Sequence, residues 1–280
     1  MSAFFAMATR GPILLAVLAI SIGVAPAQAQ GRLQAQYTIT MTGITIGQIA
    51  WLADIGDVAY TTSARGKASG VLSALVDGEG AVATQGTIVE GRLTPSLYTS
   101  DITDDDGAIS LRLAFAEGTA TEKITPELPP RTDRLPIRDA DRRGVTDPLT
   151  AVLLPEKPSL DALAPAACNR TLAIFDGRRR YNLSLFFSRM ERFDTARGFS
   201  GLALVCGVVL EPIAGYRAGS LVVKYVAGKR DMELWFAPIT GTTIIAPVRM
   251  VMPTLIGTLK IEALQFESQS KPMTPPEAPR

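Results

Sequence analysis

Histidine is absent from this chain of 280 residues. That removes Ser-His-Asp and Cys-His catalysis and every imidazole metal site. Aromatic residues make up 6% of the sequence, so rings for stacking on sugars are sparse. The formal net charge is +1, which lacks the basic excess of a nucleic-acid binder, and no nucleic acid is expected as a partner. Cysteine occurs twice, as Cys168 and Cys206, with no C-x-x-C spacing and no third thiol. Neither a redox motif nor a thiolate metal centre follows from that pattern, and neither cofactor nor metal is expected.

What is present begins with an export signal. Arg10 supplies a positive start, Gly11 to Val24 is apolar and uncharged, and Pro26-Ala27-Gln28-Ala29 ends in the A-x-A pattern of a cleavage site. The apolar core is shorter than the roughly 20 residues that span a bilayer. Residues 1–29 therefore read as a cleaved signal peptide, with the mature chain starting at Gln30 in the periplasm. An oxidising compartment makes one Cys168–Cys206 disulfide the natural reading of two cysteines.

From Leu33 onward the dominant signal is a period of two. Ala35, Tyr37, Ile39 and Met41 alternate with polar residues, as do Ile109, Leu111, Leu113 and Phe115. Ala59 to Ala68 reads as a polar strand. Pro95 predicts that the next strand starts after it. Cys168 to Phe187 reads as two strands joined at Asp176-Gly177, a strong hairpin signal. Phe193 to Gly201 reads as a loop, and Pro212 and Gly215 as breaks. Leu221, Val223 and Tyr225 alternate in the manner of a strand, and Leu264 and Phe266 suggest a bulge. Gln269 to Arg280, with its prolines and no apolar pattern, reads as a disordered tail. Three domain-level units follow: signal peptide 1–29, one β-rich domain 30–268, and tail 269–280.

Pro126 to Pro165 departs from this pattern, with eight prolines and a cluster of charges. It holds one helix, Asp147–Leu154. Asp147 is its N-cap, Pro148 its first residue, and Pro155 its stop. Leu149, Val152 and Leu153 fall on one face, which must be buried against the sheet as a lid or plug on the open side of a curved sheet or barrel.

Other motifs carry chemistry only weakly. Arg178, Arg179 and Arg180 could contact an anion, although charges beside a strand edge also discourage strand addition. Asp104-Asp105-Asp106-Gly107 lacks the alternating ligands and distal glutamate of a calcium loop and reads as a turn. Asp101, Asp104 and Glu211 could serve a histidine-independent hydrolase through paired carboxylates, but no spacing fixes a pair. Trp51, Trp235 and Tyr216 either line a cavity or fill the core.

Four stretches together resemble an exported bacterial family known as domain of unknown function 3108. They are YTITMTGITIGQI (Tyr37–Ile49), TDPLTAVL (Thr146–Leu153), C-x-R-T-L-A-I-F-D-G-R-R-R-Y (Cys168–Tyr181) and EPIAGY (Glu211–Tyr216). The resemblance extends over roughly Leu33 to Phe266. It implies a periplasmic or secreted β-rich protein and supplies no catalytic residues.

The expected fold is all-β: a strongly curved antiparallel sheet forming a partial or closed barrel, with the short helix on its open side. The expected function is that of a non-enzymatic periplasmic protein binding a hydrophobic or lipid-like molecule in a barrel cavity, with a role in the cell envelope. The alternative is an envelope assembly or interaction factor with a filled core and a protein partner.

Overall fold

A computed structural model of the chain describes residues 30–69, 78–104, 107–127, 132–155 and 163–270. The signal-peptide pattern at residues 1–29, the middle of the aspartate turn at 105–106, and residues 271–280 of the expected tail lie outside the described residues.

Alternation sets the first half of the fold. Strands β1 (Gly31–Met41), β2 (Ile44–Ile55), β3 (Ala59–Ala68), β4 (Glu79–Val89), β5 (Arg92–Asp104), β6 (Gly107–Ala116) and β7 (Thr119–Thr125) form an antiparallel meander. Leu33, Ala53, Thr62, Thr84, Tyr98 and Leu113 stand side by side across six of these strands. All six are buried, so this row runs along the inner face. The inward Thr62 is one reason why β3 reads as polar. Thr62 accepts the indole N–H of Trp51 at 2.6 Å and donates to the Leu52 carbonyl, so a hydroxyl on the inner face is satisfied locally.

The second half comprises β8 (Leu154–Pro155), β9 (Arg170–Phe175), β10 (Arg180–Asp194), β11 (Arg197–Gly198), β12 (Ser200–Ala214), β13 (Met232–Pro238), β14 (Ile244–Thr254) and β15 (Gly257–Ser270). The main sheet runs β7-β6-β5-β4-β3-β2-β1-β15-β14-β13-β12-β10-β9. Pairing of the last strand with the first joins the two halves, and the sheet curves nearly into a barrel. Between β7 and β8 lies the short helix α1 (Pro148–Ala151), and between β12 and β13 the helix α2 (Leu221–Val226). One apolar cluster joins Leu33, Trp51 and Tyr60 to Phe193, Val205, Trp235 and Phe266, filling the space between the halves. Strand β12 is buried on both faces: Ala203 and Val205 belong to that cluster, whereas Leu204, Cys206 and Val208 belong to a second one with Leu154, Val226 and Phe236.

Several boundaries differ from those the sequence predicts. Pro95 lies inside β5, opposite Gly86, where the register of the β4–β5 ladder shifts; the bulge removes the need for its missing N–H. Pro212 lies inside β12, in a stretch beyond Val208 where the strand no longer pairs with β13. The loop after Phe193 is shorter than its polarity suggests, because β10 continues to Asp194 and β12 begins at Ser200. Leu221 to Val226 is a helix, not a strand: Ser220 caps it by accepting from the Val223 N–H. Strand β15 continues to Ser270, held by Arg32↔Gln269 and Gly31↔Ser270, so the folded domain runs two residues past 268. The Asp176-Gly177 pair opens a four-residue connection, Asp176–Arg179, closed by an Asp176 N–H to Arg179 carbonyl bond of 3.1 Å. The expected bulge is present, since Gln36 faces Gln265 and Tyr37 faces Ala263, leaving Leu264 unpaired.

Cys168 and Cys206 form a disulfide with both residues fully buried. It ties the turn before β9 to the middle of β12 across 38 positions. On a chain-entropy basis such a closure is worth about 4 kcal/mol. Urea unfolding with and without reductant should show a loss of that order on reduction; superimposable curves would refute it.

Candidate functional site

The sheet order leaves one seam, between β7 and β9, and the segment after β7 closes it. The Gly144 N–H donates to Gly118 at 2.8 Å on the β7 side. The Thr146 N–H donates to Ala173, and the Phe175 N–H to Thr146, both at 2.9 Å, on the β9 side. Residues 143–146 thus form a strap joined to both edges.

The strap leads into α1, and a buried carboxylate fixes the junction. Asp147 has no solvent exposure. Its Oδ1 accepts three hydrogen bonds, from the Leu149 N–H (2.9 Å), the Thr150 N–H (3.0 Å) and the Thr84 hydroxyl (2.8 Å). The first two are those of an N-cap; the third reaches across to β4. The hydroxyls of Thr150 and Tyr60 lie 2.7 Å apart, linking the helix to β3. Oδ2 of Asp147 is buried with no hydrogen-bond partner among the described residues. Burial pushes the Asp147 carboxyl above its ordinary value, against the opposing pull of its hydrogen bonds from Thr150, Thr84 and Leu149.

The helix is shorter than the sequence predicts. It ends at Ala151, because Leu154 and Pro155 extend to pair with Ile245 and Ile244 of β14. Leu149 packs against a cluster of Tyr98, Leu111, Leu113, Ala120 and Phe175, while Leu153 is buried, and Val152 partly buried, in the main cluster. The three side chains therefore point to two different parts of the core.

Beside α1 and the strap lies an open cavity of about 1180 Å³. Its lining includes Leu93, Thr94 and Pro95 of β5, Asn169 to Ala173, the apolar Val145, Ala151, Leu153 and Leu154, and the charged Glu90, Arg92 and Arg170. Arg170 also donates to the Pro155 carbonyl at 3.1 Å. A smaller groove of about 580 Å³ crosses β1 to β5, lined by Gln36, Gln48, Arg65, Lys67, Glu79 and Asp101.

The arginine cluster does not converge. Arg180 turns to Asn182 and the Tyr181 carbonyl, and Arg179 lies over the Tyr216 ring. Arg178 is half-buried, and burial lowers its pKa. Asp176 accepts from the backbone of Arg178 and Arg179, so its role is to shape the turn, and burial raises its pKa. Tyr216 nearby is pushed up to about 12, first by burial and then by the Asp176 charge. Gly177 has φ +83° and sits where a Cβ would overlap Leu111 of β6, so the turn tip leans across the seam. Gly215, at the end of β12, likewise has no room for a Cβ against the Arg178 carbonyl. Asp101 and Asp104 lie on β5 and Glu211 on β12, strands that are not neighbours in the sheet. Trp51 and Trp235 are core residues; the Trp235 N–H donates to Glu233. Sequence reasoning missed Tyr60, Thr84 and Thr150, whose only signal is a hydroxyl at an inward position of an alternating strand or a capped turn. Among the described residues no group of three or more Cys, Asp or Glu could hold a metal ion.

Three of the four family-like stretches converge at this seam: Thr146–Leu153, Cys168–Tyr181 and Glu211–Tyr216. Residues 36–263 match a family model described as "Protein of unknown function (DUF3108)". No curated protein matches the chain. Among solved structures, the chain is similar to the crystal structure of a beta-barrel-like protein of domain of unknown function DUF1849 from Brucella abortus. The identity is 10% and the TM-score 0.48, with 87% of this chain and 99% of that chain covered.

Replacing Asp147 tests the junction. Asp147→Ala should cost about 1–3 kcal/mol, through the lost cap and the unpaired Thr84 hydroxyl. Asp147→Asn keeps the Oδ1 acceptor and should cost less. Because the folded pKa lies above the unfolded value near 3.8, the neutral carboxyl contributes stability that is full below pH 3.8 and is lost as pH rises through the folded value. Asp147→Asn should flatten that part of the stability–pH curve, and an unchanged curve would contradict the assignment.

Proposed function

The chain belongs to the DUF3108 family, and we propose that it is a non-enzymatic, exported envelope protein that binds a hydrophobic or lipid-like molecule in the cavity beside α1. The observation that carries this reading is the position of the cavity. The space between the two halves of the barrel is packed with side chains, whereas the seam cavity stays open beside them. Its lining combines apolar side chains with Glu90, Arg92 and Arg170, a mixture that suits an apolar body with a polar end. The disulfide is compatible with an oxidising compartment, and the signal-peptide pattern at residues 1–29 supports export.

A second reading, an envelope assembly or interaction factor, is favoured by the same packed interior. Native mass spectrometry of protein from its own host separates the two, because only the first requires a co-purifying lipid.

Thr94 is exposed and lines the cavity, so Thr94→Trp fills space without disturbing the core. It should leave stability within about 0.5 kcal/mol of the parent while weakening the apolar fluorophore N-phenyl-1-naphthylamine at least about tenfold. Equal probe binding by parent and variant, or none by the parent, would rule the cavity out as the binding site. Leu153→Ala should cost about 2–5 kcal/mol, as expected for a core position that is 2% exposed.

A further inference from the structure

We infer that α2 and the neighbouring β14–β15 tip form a docking surface for a bilayer bearing anionic phospholipids. The inference stands apart from the seam cavity and does not depend on it.

The helix covers the second apolar cluster with one face and exposes aliphatic side chains on the other. Val226 is buried among Cys206, Leu234 and Phe236, with Tyr225 partly buried beside it. Leu221 and Val222 are 73% and 59% exposed. A six-residue helix capped by Ser220 had no need to place leucine and valine outward for its own packing. Helix α2 contacts β14, and β14 leads into a tip where Leu255 and Ile256 are 51% and 77% exposed. That tip is tied down on both sides. The Thr42 hydroxyl donates to the Ile256 carbonyl at 3.4 Å, and the Thr254 hydroxyl closes the turn onto the Gly257 carbonyl at 2.7 Å. Glu233, near the start of β13, faces Val251, so the end of α2 and the tip end of β14 lie on the same side of the sheet's length, with Tyr225, Met250 and Met252 packed against one cluster.

Charge decides which occupant fits. A chain with a net charge of +1 places Arg217, Lys224, Lys229 and Arg230 in one stretch of 217–230 without Asp or Glu; the exposed Asp231 follows directly and offsets one of these charges. Arg217 is paired with Asp133 at 2.7 Å. Lys224 and Arg230 are exposed. Lys229 lies 3.4 Å from the Tyr225 ring centroid and Arg230 5.2 Å from that of Phe186, contacts that hold the cations beside the helix. Exposed aliphatics flanked by such cations match the two components of an anionic membrane interface: apolar side chains enter the boundary, and cations meet lipid phosphates.

Vesicle flotation of the full chain tests this with phosphatidylcholine alone and mixed with phosphatidylglycerol. The chain should float with the mixed vesicles, bind those of phosphatidylcholine far less, and be released from the former by raised salt. The triple change Lys224→Ser, Lys229→Ser and Arg230→Ser should weaken binding to the mixed vesicles about a hundredfold, at roughly a factor of five per cation near the surface. Leu221→Ser with Val222→Ser should weaken it as well; this variant should melt like the parent because both side chains are exposed, and the triple variant should stay folded with at most the loss of the Lys229 and Arg230 ring contacts. Flotation of either variant at the parental level overturns the inference. So does salt-insensitive binding by the parent, which needs no variant to detect. Self-association or partner binding lost in the Leu221/Val222 variant, with no flotation by the parent, overturns it too and assigns the patch to a protein.

Discussion

The barrel depends on how its one seam is shut, and the seam depends on Asp147. A single buried oxygen accepts two backbone N–H groups of α1 and a hydroxyl of β4. The same residue follows directly on the strap that bonds to β7 and β9. Capping is a local interaction and strand closure a global one, and here one side chain serves both. Without the cap, the helix would have only four residues to sustain itself, far below what an isolated helix needs. Its order comes from Asp147, from the Tyr60–Thr150 contact, and from Leu149 and Leu153 entering separate parts of the core.

The two halves of the sheet solve burial differently. Strands such as β1 and β6 bury one face and leave the other wet, so their sequences alternate cleanly. Strands β12 to β14 bury both faces, and the outer one needs a cover. Helix α2, the Pro165–Cys168 turn and β8 provide it, with the disulfide pinning that turn to β12. The near-continuous apolar run of β14 and the exposed residues of α2 are consequences of that arrangement: the cover has an outside of its own.

This difference also decides what is legible in the sequence. Alternation places β1 and β6 closely, because one wet face prints its period directly. Asp147-Pro148 locates the start of α1, since a cap and a first-turn proline are local signals. The helix end is not local: Leu154 and Pro155 leave the helix to pair with β14, nearly ninety positions on. Leu221 to Val226 reads as a strand because a cover helix only six residues long has too few apolar positions to separate a period of 3.6 from a period of two. Prolines inside β5 and β12 are tolerated where the ladder is already interrupted, a fact of register and not of composition. The network of Tyr60, Thr84 and Thr150 is invisible for a related reason. Tyr60 and Thr84 lie on the paired strands β3 and β4, but Thr150 lies on α1, and only the tertiary packing of that helix brings it to them.

Acid acts on the seam and on the surface in opposite senses. Burial raises the pKa of both Asp147 and Asp176, which shape the cap and the β9–β10 turn at the seam. Protonation of these carboxyls is easier in the fold than in the unfolded chain, so falling pH does not loosen them. Asp133, Asp194 and Glu233 have lowered pKa values, the first and last chiefly through hydrogen bonds from Arg217 and Arg189, Asp194 chiefly through Ser200. Those interactions are present above the unfolded value and fade as pH falls through the folded one. Asp133 and Asp194 are exposed, so their loss changes surface charge more than stability. One effect falls beside α2. When Asp133 is protonated, Arg217 gains a free charge next to a patch that is already cationic, while the strap and the barrel it closes are held as before.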